Sequence, residues 1–302
     1  MRSSIWSRKF SVEIFHISVM LREAMEALNP RPGGIYVDAT VGTGGHSEEV
    51  LKFISSEGKL IGIDRDNEAL KVAQKRLSDK RVILKKGNFS DMESLLSEYG
   101  IFEVDGVLFD LGVSLLQLKN PERGFSFTSD RRLDMRMDQD QKFSAWDVVN
   151  KYHEKKLERV FMEFGEERFS KKIAKSIVRW RGKKTIDTCY ELAQIVQKIY
   201  GGRGRIHPAT RIFQALRIEV NREIDELRAG LDSSLRLLKK AGRLCIISYH
   251  SLEDRVVKHF LADGSKKGLL KVITKKPVMP SPEELRLNPS SRSAKLRGAE
   301  RI

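Results

Sequence analysis

Cysteine is nearly missing from this 302-residue chain. Cys189 and Cys245 are the only two, far apart and outside any CxxC spacing. That excludes a disulfide framework and a cysteine zinc site, and it fits a reducing, cytoplasmic setting. Long apolar runs are missing too: no stretch approaches the about 20 residues of a membrane span. The basic N-terminus, MRSSIWSRKFSVEIFHISVML, is interrupted by Glu13 and His16, so it does not read as a signal peptide. Internal repeats are absent. Acids are in deficit: 56 Lys+Arg against 41 Asp+Glu give a formal net charge of +15 and a pI near 9.7. Such an excess points to a polyanionic partner, nucleic acid ahead of acidic lipid, with plain solubility as the alternative.

What is present is 40% hydrophobic residues, enough for one or two packed domains. A first helix places Met20, Ala24 and Leu28 at spacing four, and NPRPGG then breaks the chain. Four strand-like runs follow: GIYVDAT, KLIGIDRD, RVILKKGNF and VDGVLFDLGVS. Helical patterns separate the first three, such as one with Ala69, Leu70, Ala73 and Leu77 on one face. This alternation predicts right-handed βαβ units and a mostly parallel sheet, an α/β fold.

After Asp110 the rhythm stops. Apart from LDMRM, no β-run is convincing before Ala209; a helical stripe of Phe169, Ile173, Ile177 and Trp180 stands there instead. One long amphipathic stretch, IFQALRIEVNREIDELRAGLDSSLRLLKKAG, is expected to end at Gly242, and RLCIISYHSLEDRVVKHF restores strand and helix. The α/β domain, 1–115 and 210–302, is therefore expected to be interrupted by an inserted helical domain over 116–209. The tail from Ser265 carries ten Lys/Arg against three Glu and four prolines, and reads as an irregular basic arm.

The stretch VDATVGTGGHSEEV runs from strand through glycines into a helix. No Gly-Lys-Ser/Thr follows, so it is not a P-loop. Gly42 and Gly44 supply G-x-G, but Ser47 stands where a dinucleotide fingerprint needs its third glycine. Alone, the loop could be a tight turn. Its context is stronger: Asp64 follows Gly44 by twenty residues, at a second strand tip where an acid accepts ribose hydroxyls. The structural alternative for Asp64 is a helix N-terminal cap, and the two roles can coexist. Phe89 and Asp110 close the third and fourth runs at the same edge of the sheet. Glu48 and Glu49 in the first helical turn oppose a diphosphate but tolerate a cationic sulfonium, favouring S-adenosylmethionine over a nicotinamide cofactor.

With these motifs in hand, the sequence resembles the MraW family of bacterial ribosomal RNA small-subunit methyltransferases H. The motifs are HISVMLREAM, VDATVGTGGHS, IGIDRD, DGVLFDLGVS, ERGFSF, LDMRMD, FGEER, HPATRIFQALRIEVNRE, ISYHSLEDRVVK and NPSSRSAKLR, in the family's order and across nearly the whole chain. The resemblance implies a Rossmann-like class I methyltransferase with an inserted helical domain for substrate recognition. It also implies S-adenosylmethionine as cofactor and 16S rRNA in the small ribosomal subunit as partner. The reaction implied is methylation of the exocyclic N4 of one decoding-centre cytidine, cytidine 1402. By the same resemblance the cofactor is held by Gly44, Gly45 and His46, by Asp64, Phe89 and Asp110, and by Gln117. Three positions depart from the family pattern: Ser18 for Pro, Leu115-Leu116 for Ser-Pro, and Tyr249 for Phe. The second leaves open how Gln117 is aimed.

Several candidates have two readings. Asp110 either orients the N4 amine or only holds the cofactor. His250 either accepts a proton or meets the RNA backbone, or it is satisfied inside its loop. Ser251 and Asp254 read as a near capping box. Phe125, Phe127 and Tyr249 are candidates for an aromatic shelf under a flipped base, with Phe125 and Phe127 equally suited to a core. Asp134 and Arg136 share a face and could pair or approach RNA. Arg211, Gln214, Arg217 and Asn221 form either a solvated stripe or a lining of the substrate cleft. Lys and Arg of the insertion and tail are expected to bind phosphates. A non-catalytic RNA-binding assembly factor with a vestigial nucleoside pocket is the alternative of a different class.

Overall fold

The computed structural model describes residues 18–200 and 207–302. The expectation for the N-terminal stretch through residue 17 lies outside the described residues. Seven strands form one sheet: β1 (Ile35–Asp38), β2 (Lys59–Asp64), β3 (Val82–Lys86), β4 (Val104–Asp110), β5 (Leu238–Ser248), β6 (Leu270–Val272) and β7 (Lys295–Arg301). Their order is β3-β2-β1-β4-β5-β7-β6. Pairings among β1 to β5 are parallel, and β7 runs antiparallel to both β5 and β6. This is a mostly parallel, Rossmann-like sheet.

Both faces of the sheet are covered, so its strands read as apolar runs rather than alternating ones. The period of two shows in which core each residue joins. Val107 and Phe109 of β4 and Leu244 and Ile246 of β5 enter one core. It is closed by α4 (Met92–Ser97), α11 (Glu223–Leu237) and α12 (Ser251–Lys266) through Met92, Leu96, Leu227, Leu231, Val257 and Leu261. Leu108, Cys245 and Ile247 enter the opposite core, with α1 (Leu21–Leu28) and α2 (Gly45–Phe53). Ala73 and Leu77, in and after α3 (Asn67–Arg76), pack on Val41. Cys189 and Cys245 are both buried free thiols.

Between β4 and β5 lie α5 (Leu115–Lys119), α6 (Ala145–Lys151), α7 (Glu154–Glu163), α8 (Ser170–Arg181), α9 (Cys189–Tyr200), α10 (Ala209–Asn221) and α11. A separate core made of residues from Phe125 to Val220 holds α6 to α10 together. In it Ile173 and Ile177 are fully buried, whereas Trp180, expected on the same stripe, is 43% exposed. It sits in the last turn of α8, with Lys198 5.0 Å over its ring. LDMRM forms no strand: Met135 has φ 60°, and the isolated bridge Arg132–Thr188 lies just before it.

Two further expectations need correction. The long amphipathic run is two helices and the start of a strand. Arg222 adopts φ 51° and separates α10 from α11, and β5 begins at Leu238, before Gly242. A register shift between Val104 and Gly106, with Ala241 at φ 64°, lets Lys239 reach Asp105 at 2.9 Å while the strand continues. The tail is not an irregular arm. It completes α12 and adds β6, α13 (Pro282–Leu287) and β7, the last between β5 and β6. KLRGAER hides its strand character because it carries charge. Arg297 is buried only because its Nε meets Asp254 Oδ1 at 2.7 Å. Among the described residues, no helix is long and apolar enough to cross a membrane.

Candidate active site

Asp38, Asp64 and Asp110 end three neighbouring parallel strands, which brings their carboxylates to one edge of the sheet. Open α/β sheets bind ligands at that edge. Asp38 faces inward and is 2% exposed. Its carboxylate accepts the Ser47 hydroxyl at 2.7 Å and the Thr40 N–H at 3.3 Å. Burial pushes Asp38 upward, against the opposing pull of His46 and Ser47. Ser47, read from sequence as a missing glycine, is thus a fully buried anchor of the loop. The loop needs its glycines: Gly42 and Gly44 have φ of 51° and 86°, and a Cβ on Gly45 would lie 2.0 Å from Ser18 Oγ. Glu48 is matched by Arg76 at 2.6 Å and Glu49 by Lys52 at 2.6 Å. Their charges therefore bear on the loop less than the bare sequence suggested.

Asp64 is not a helix cap. Asp66 caps α3 by accepting the Glu68 N–H at 2.9 Å. Asp64 instead ties the glycine loop to β2, with Oδ2 accepting the Gly42 N–H at 2.9 Å and Oδ1 the Asp66 N–H at 2.9 Å. Desolvation raises its pKa to about 6. Phe89 lies just past β3, opening a one-turn helix (Phe89–Asp91). It is held edge-on by Phe109 at 5.5 Å, and Gly230 of α11 leaves it room, since a Cβ there would come within 2.6 Å.

Gln117 sits in a capping box with Ser114 at the start of α5. Its Oε1 accepts the Ser114 N–H at 3.1 Å, and its Nε2 donates to Asp66 Oδ2 at 2.8 Å. Leu115-Leu116 therefore leaves Gln117 firmly aimed, at Asp66. Arg123 reaches the same carboxylate at 2.8 Å and Glu68 at 2.9 Å, and donates to the carbonyls of Arg136 and Met137. Sequence reading missed this node, although Arg123 lies within the ERGFSF motif.

Asp110 is the most elaborated of the tips. Its N–H donates to Thr40 Oγ1 at 2.6 Å, and its Oδ1 accepts the Tyr249 hydroxyl at 2.7 Å. His46 presents Nδ1 at 3.7 Å from Oδ2, while its Nε2 donates to the Val19 carbonyl at 2.9 Å. Burial first, and then the neighbouring Asp110 charge, push the Tyr249 phenol well above its ordinary value, so it stays a donor. The His46 ring is thereby turned to Asp110 and Val19.

Gly45, His46, Asp64, Phe89, Asp110, Gln117 and Tyr249 line one cleft of about 1260 Å³, together with Met137, Arg217 and Glu223. Gly44 lies beneath, against Leu77. The remaining candidates stand elsewhere. Phe125 belongs to the helical core, and Phe127 stacks on His207 at 4.3 Å. Asp134 and Arg136 do pair, through two contacts of 2.7 Å. Arg211 holds the Glu166 carbonyl at 3.1 Å. Buried Asn221 accepts the Met137 N–H and donates to the Met135 carbonyl, each at 2.8 Å. The α10 polar positions are therefore ties between segments, with Arg217 alone of the four also reaching the cleft.

His250 is the N-cap of α12, with Nδ1 accepting the Glu253 N–H at 3.3 Å. The capping box is thus His250 with Glu253, one residue before the expected Ser251–Asp254 pair. Ser251 instead donates to Glu166, and Asp254 takes Arg297. Glu223, His250 and Glu253 come within 4.8 Å of one another. They do not suit a metal: Arg217 already meets Glu223 with two 2.8 Å bonds. A neutral imidazole that accepts at Nδ1 carries its proton on Nε2 and has no lone pair left to give.

The model of the MraW methylase family matches residues 13–302. The chain is 48% identical to the Ribosomal RNA small subunit methyltransferase H of Caldicellulosiruptor bescii, over 95% of this chain and 99% of that one. It is 49% identical to the protein of the same name from Sulfurihydrogenibium sp., again over 95% and 99%. Among solved structures, an rRNA methylase from Streptococcus thermophilus aligns at 13% identity over 93% of each chain, with a TM-score of 0.44. The family match takes in every strand of the sheet and the whole cleft, and the chain belongs to the MraW methylase family.

Proposed function

We propose that this protein transfers a methyl group from S-adenosylmethionine to the exocyclic N4 of a cytidine in 16S rRNA, cytidine 1402, in the cytoplasm. One observation carries the reading: the strand-tip acids Asp64 and Asp110 share a cleft with a glycine loop in a chain whose relatives are named as small-subunit rRNA methyltransferases. The cleft's donor set fits the cofactor. Each Asp64 oxygen accepts one backbone N–H and keeps a lone pair for a ribose hydroxyl. Phe89 offers a fixed apolar ring to the adenine. The glycine loop presents backbone rather than side chains. Gln117 acts through Asp66 as part of the wall.

S-adenosylmethionine supplies an electrophilic methyl on a sulfonium. The chain's own work is positioning, which is worth up to about 7–11 kcal/mol in ideal cases. Asp110, aimed by Tyr249, accepts a hydrogen bond from the N4 amine. That bond localises a lone pair otherwise shared with the ring, and Asp110 receives the proton released after attack. The base leaves its stack to reach the cleft, where Val113, Leu115 and Leu116 offer apolar contact. The helical segment 116–209, whose core continues to Val220, serves as the part that recognises substrate.

Labelled S-adenosylmethionine, incubated with small subunits lacking the modification, tests the reading. Label is expected on cytosine N4, located by RNA mass spectrometry. Label on C5 or ribose refutes the N4 chemistry. RNA binding without any label leaves the non-catalytic assembly factor.

A further inference from the structure

We propose that the exposed face of α8 is a second RNA contact, gripping the sugar-phosphate backbone outside the cleft; this deepens the rRNA reading above. Among the described helices of eight residues or more, α8 alone has no acidic residue: its sequence is SKKIAKSIVRWR. Lys171, Lys175 and Arg179 repeat at four-residue steps and are all exposed. Such steps place cations about 6 Å apart along the axis, close to the spacing of successive phosphates on one strand. Lys172 and Lys183 widen the patch. Among the described residues, none of these five cations has an ion-pair partner. Some lysines of other segments do, as in Lys52–Glu49, Lys85–Glu98 and Lys151–Asp147, while others, such as Lys59 and Lys71, do not.

Like charges four apart destabilise a helix, so α8 keeps this arrangement against its own stability, and a bound polyanion would relieve it. Trp180 adds an exposed ring at the end of the row, with Lys198 over it. Aromatic rings beside a basic track stack unpaired bases. The apolar stripe of α8, Ile173, Ala174 and Ile177, is used up in the helical core. No apolar face remains to enter a bilayer, which favours RNA over an anionic membrane. The start of α8 is tied to the helix that follows Tyr249. The turn before α8 holds Glu166, which accepts from Ser251 and Arg255 of α12 at 2.8 Å each, next to Tyr249. In this proposal a strand with its base in the cleft passes onto the helix.

The test uses the full-length protein carrying K171Q, K175Q and R179Q together, with K175Q alone as a milder variant. The probes are an unmodified decoding-centre RNA fragment and phosphatidylglycerol vesicles. For the triple variant, the RNA Kd is expected to rise at least about tenfold. The slope of log Kd against log salt is expected to fall by about 2, or about 0.7 for K175Q, as for lost single-strand phosphate contacts. S-adenosylmethionine affinity stays unchanged, and thermal unfolding moves up slightly as the repulsion along α8 is relieved. Trp180→Ala is expected to weaken RNA binding about fivefold or more without moving the slope. An unchanged slope, or loss of vesicle binding with RNA binding intact, overturns the proposal. If the wild type labels no RNA but the slope still falls, the catalytic reading fails and this one stands.

Discussion

Replacing Asp64 by alanine is expected to weaken S-adenosylmethionine binding by about two to four orders of magnitude. The carboxylate offers two oxygens to two ribose hydroxyls. A hydrogen bond to a charged group contributes about 1.5–3 kcal/mol, so two contribute about 3–6 kcal/mol, or about 10²- to 10⁴-fold in Kd. The side chain also anchors the Gly42 and Asp66 N–H groups, so part of any loss would come from the loop itself. Calorimetry with the cofactor product, S-adenosylhomocysteine, and with its 2′,3′-dideoxy analogue separates the two. The wild type should discriminate strongly between them, and Asp64→Ala should not. If the variant loses as much affinity for the dideoxy analogue as for the parent, the carboxylate acts on the loop and the ribose assignment is wrong. Proton linkage gives a second reading. With Asp64 raised to about 6, protonation below that pH removes the charged acceptor, so cofactor affinity should fall about tenfold per unit there. The stability contribution has the opposite sign. The folded pKa lies above the unfolded value, so this group's burial costs stability above about pH 6, and the cost fades as pH falls toward 4. Asp64→Asn should flatten both dependences.

Other substitutions reach other parts of the site. Tyr249→Phe removes the 2.7 Å bond to Asp110 and should lower kcat about 10- to 100-fold, with cofactor affinity within about threefold; a kcat within twofold would show that this bond plays no part in transfer. His250→Ala should cost about 0.5–2 kcal/mol of stability as a lost helix cap, with turnover nearly kept; a hundredfold loss of turnover at unchanged Tm would make the imidazole a proton acceptor after all. Asn221→Ala strands the buried Met137 N–H and Met135 carbonyl and should cost about 2–4 kcal/mol in urea unfolding, against a loss under 1 kcal/mol if α10 were only a solvated stripe.

The half of the fold built on local repetition was legible. β1 to β4 carry unbroken apolar runs because both faces of a parallel sheet are covered, and their spacing by helices sets the topology. The meeting of the strand tips at one edge was legible for the same reason, since it follows from parallel strands whatever the side chains do. What stayed hidden depends on distant partners. β7 carries three arginine or lysine residues, and only Asp254, far along the chain, makes Arg297 tolerable inside. The split of α10 from α11 rests on one left-handed residue, Arg222, of a type that carries no such signal. The site shows the same limit. Residue type nominated His250, Arg211 and Asn221 for chemistry. Their surroundings give them caps and tethers instead, and although Arg123, Asp66 and Gln117 each fall in or beside a motif, nothing local joins the three into one node.

β7 also has a consequence for how the chain is made. It follows the other six strands in sequence, yet it lies between β5 and β6. While a ribosome is still synthesising the protein, β5 presents a row of unpaired backbone groups, and β6 has nothing to join. An open strand of that kind invites pairing with a neighbouring chain. Residues 295–301 close it from within, so the nascent chain stays sticky until they have emerged, and a copy stalled or terminated before them is expected to aggregate rather than fold.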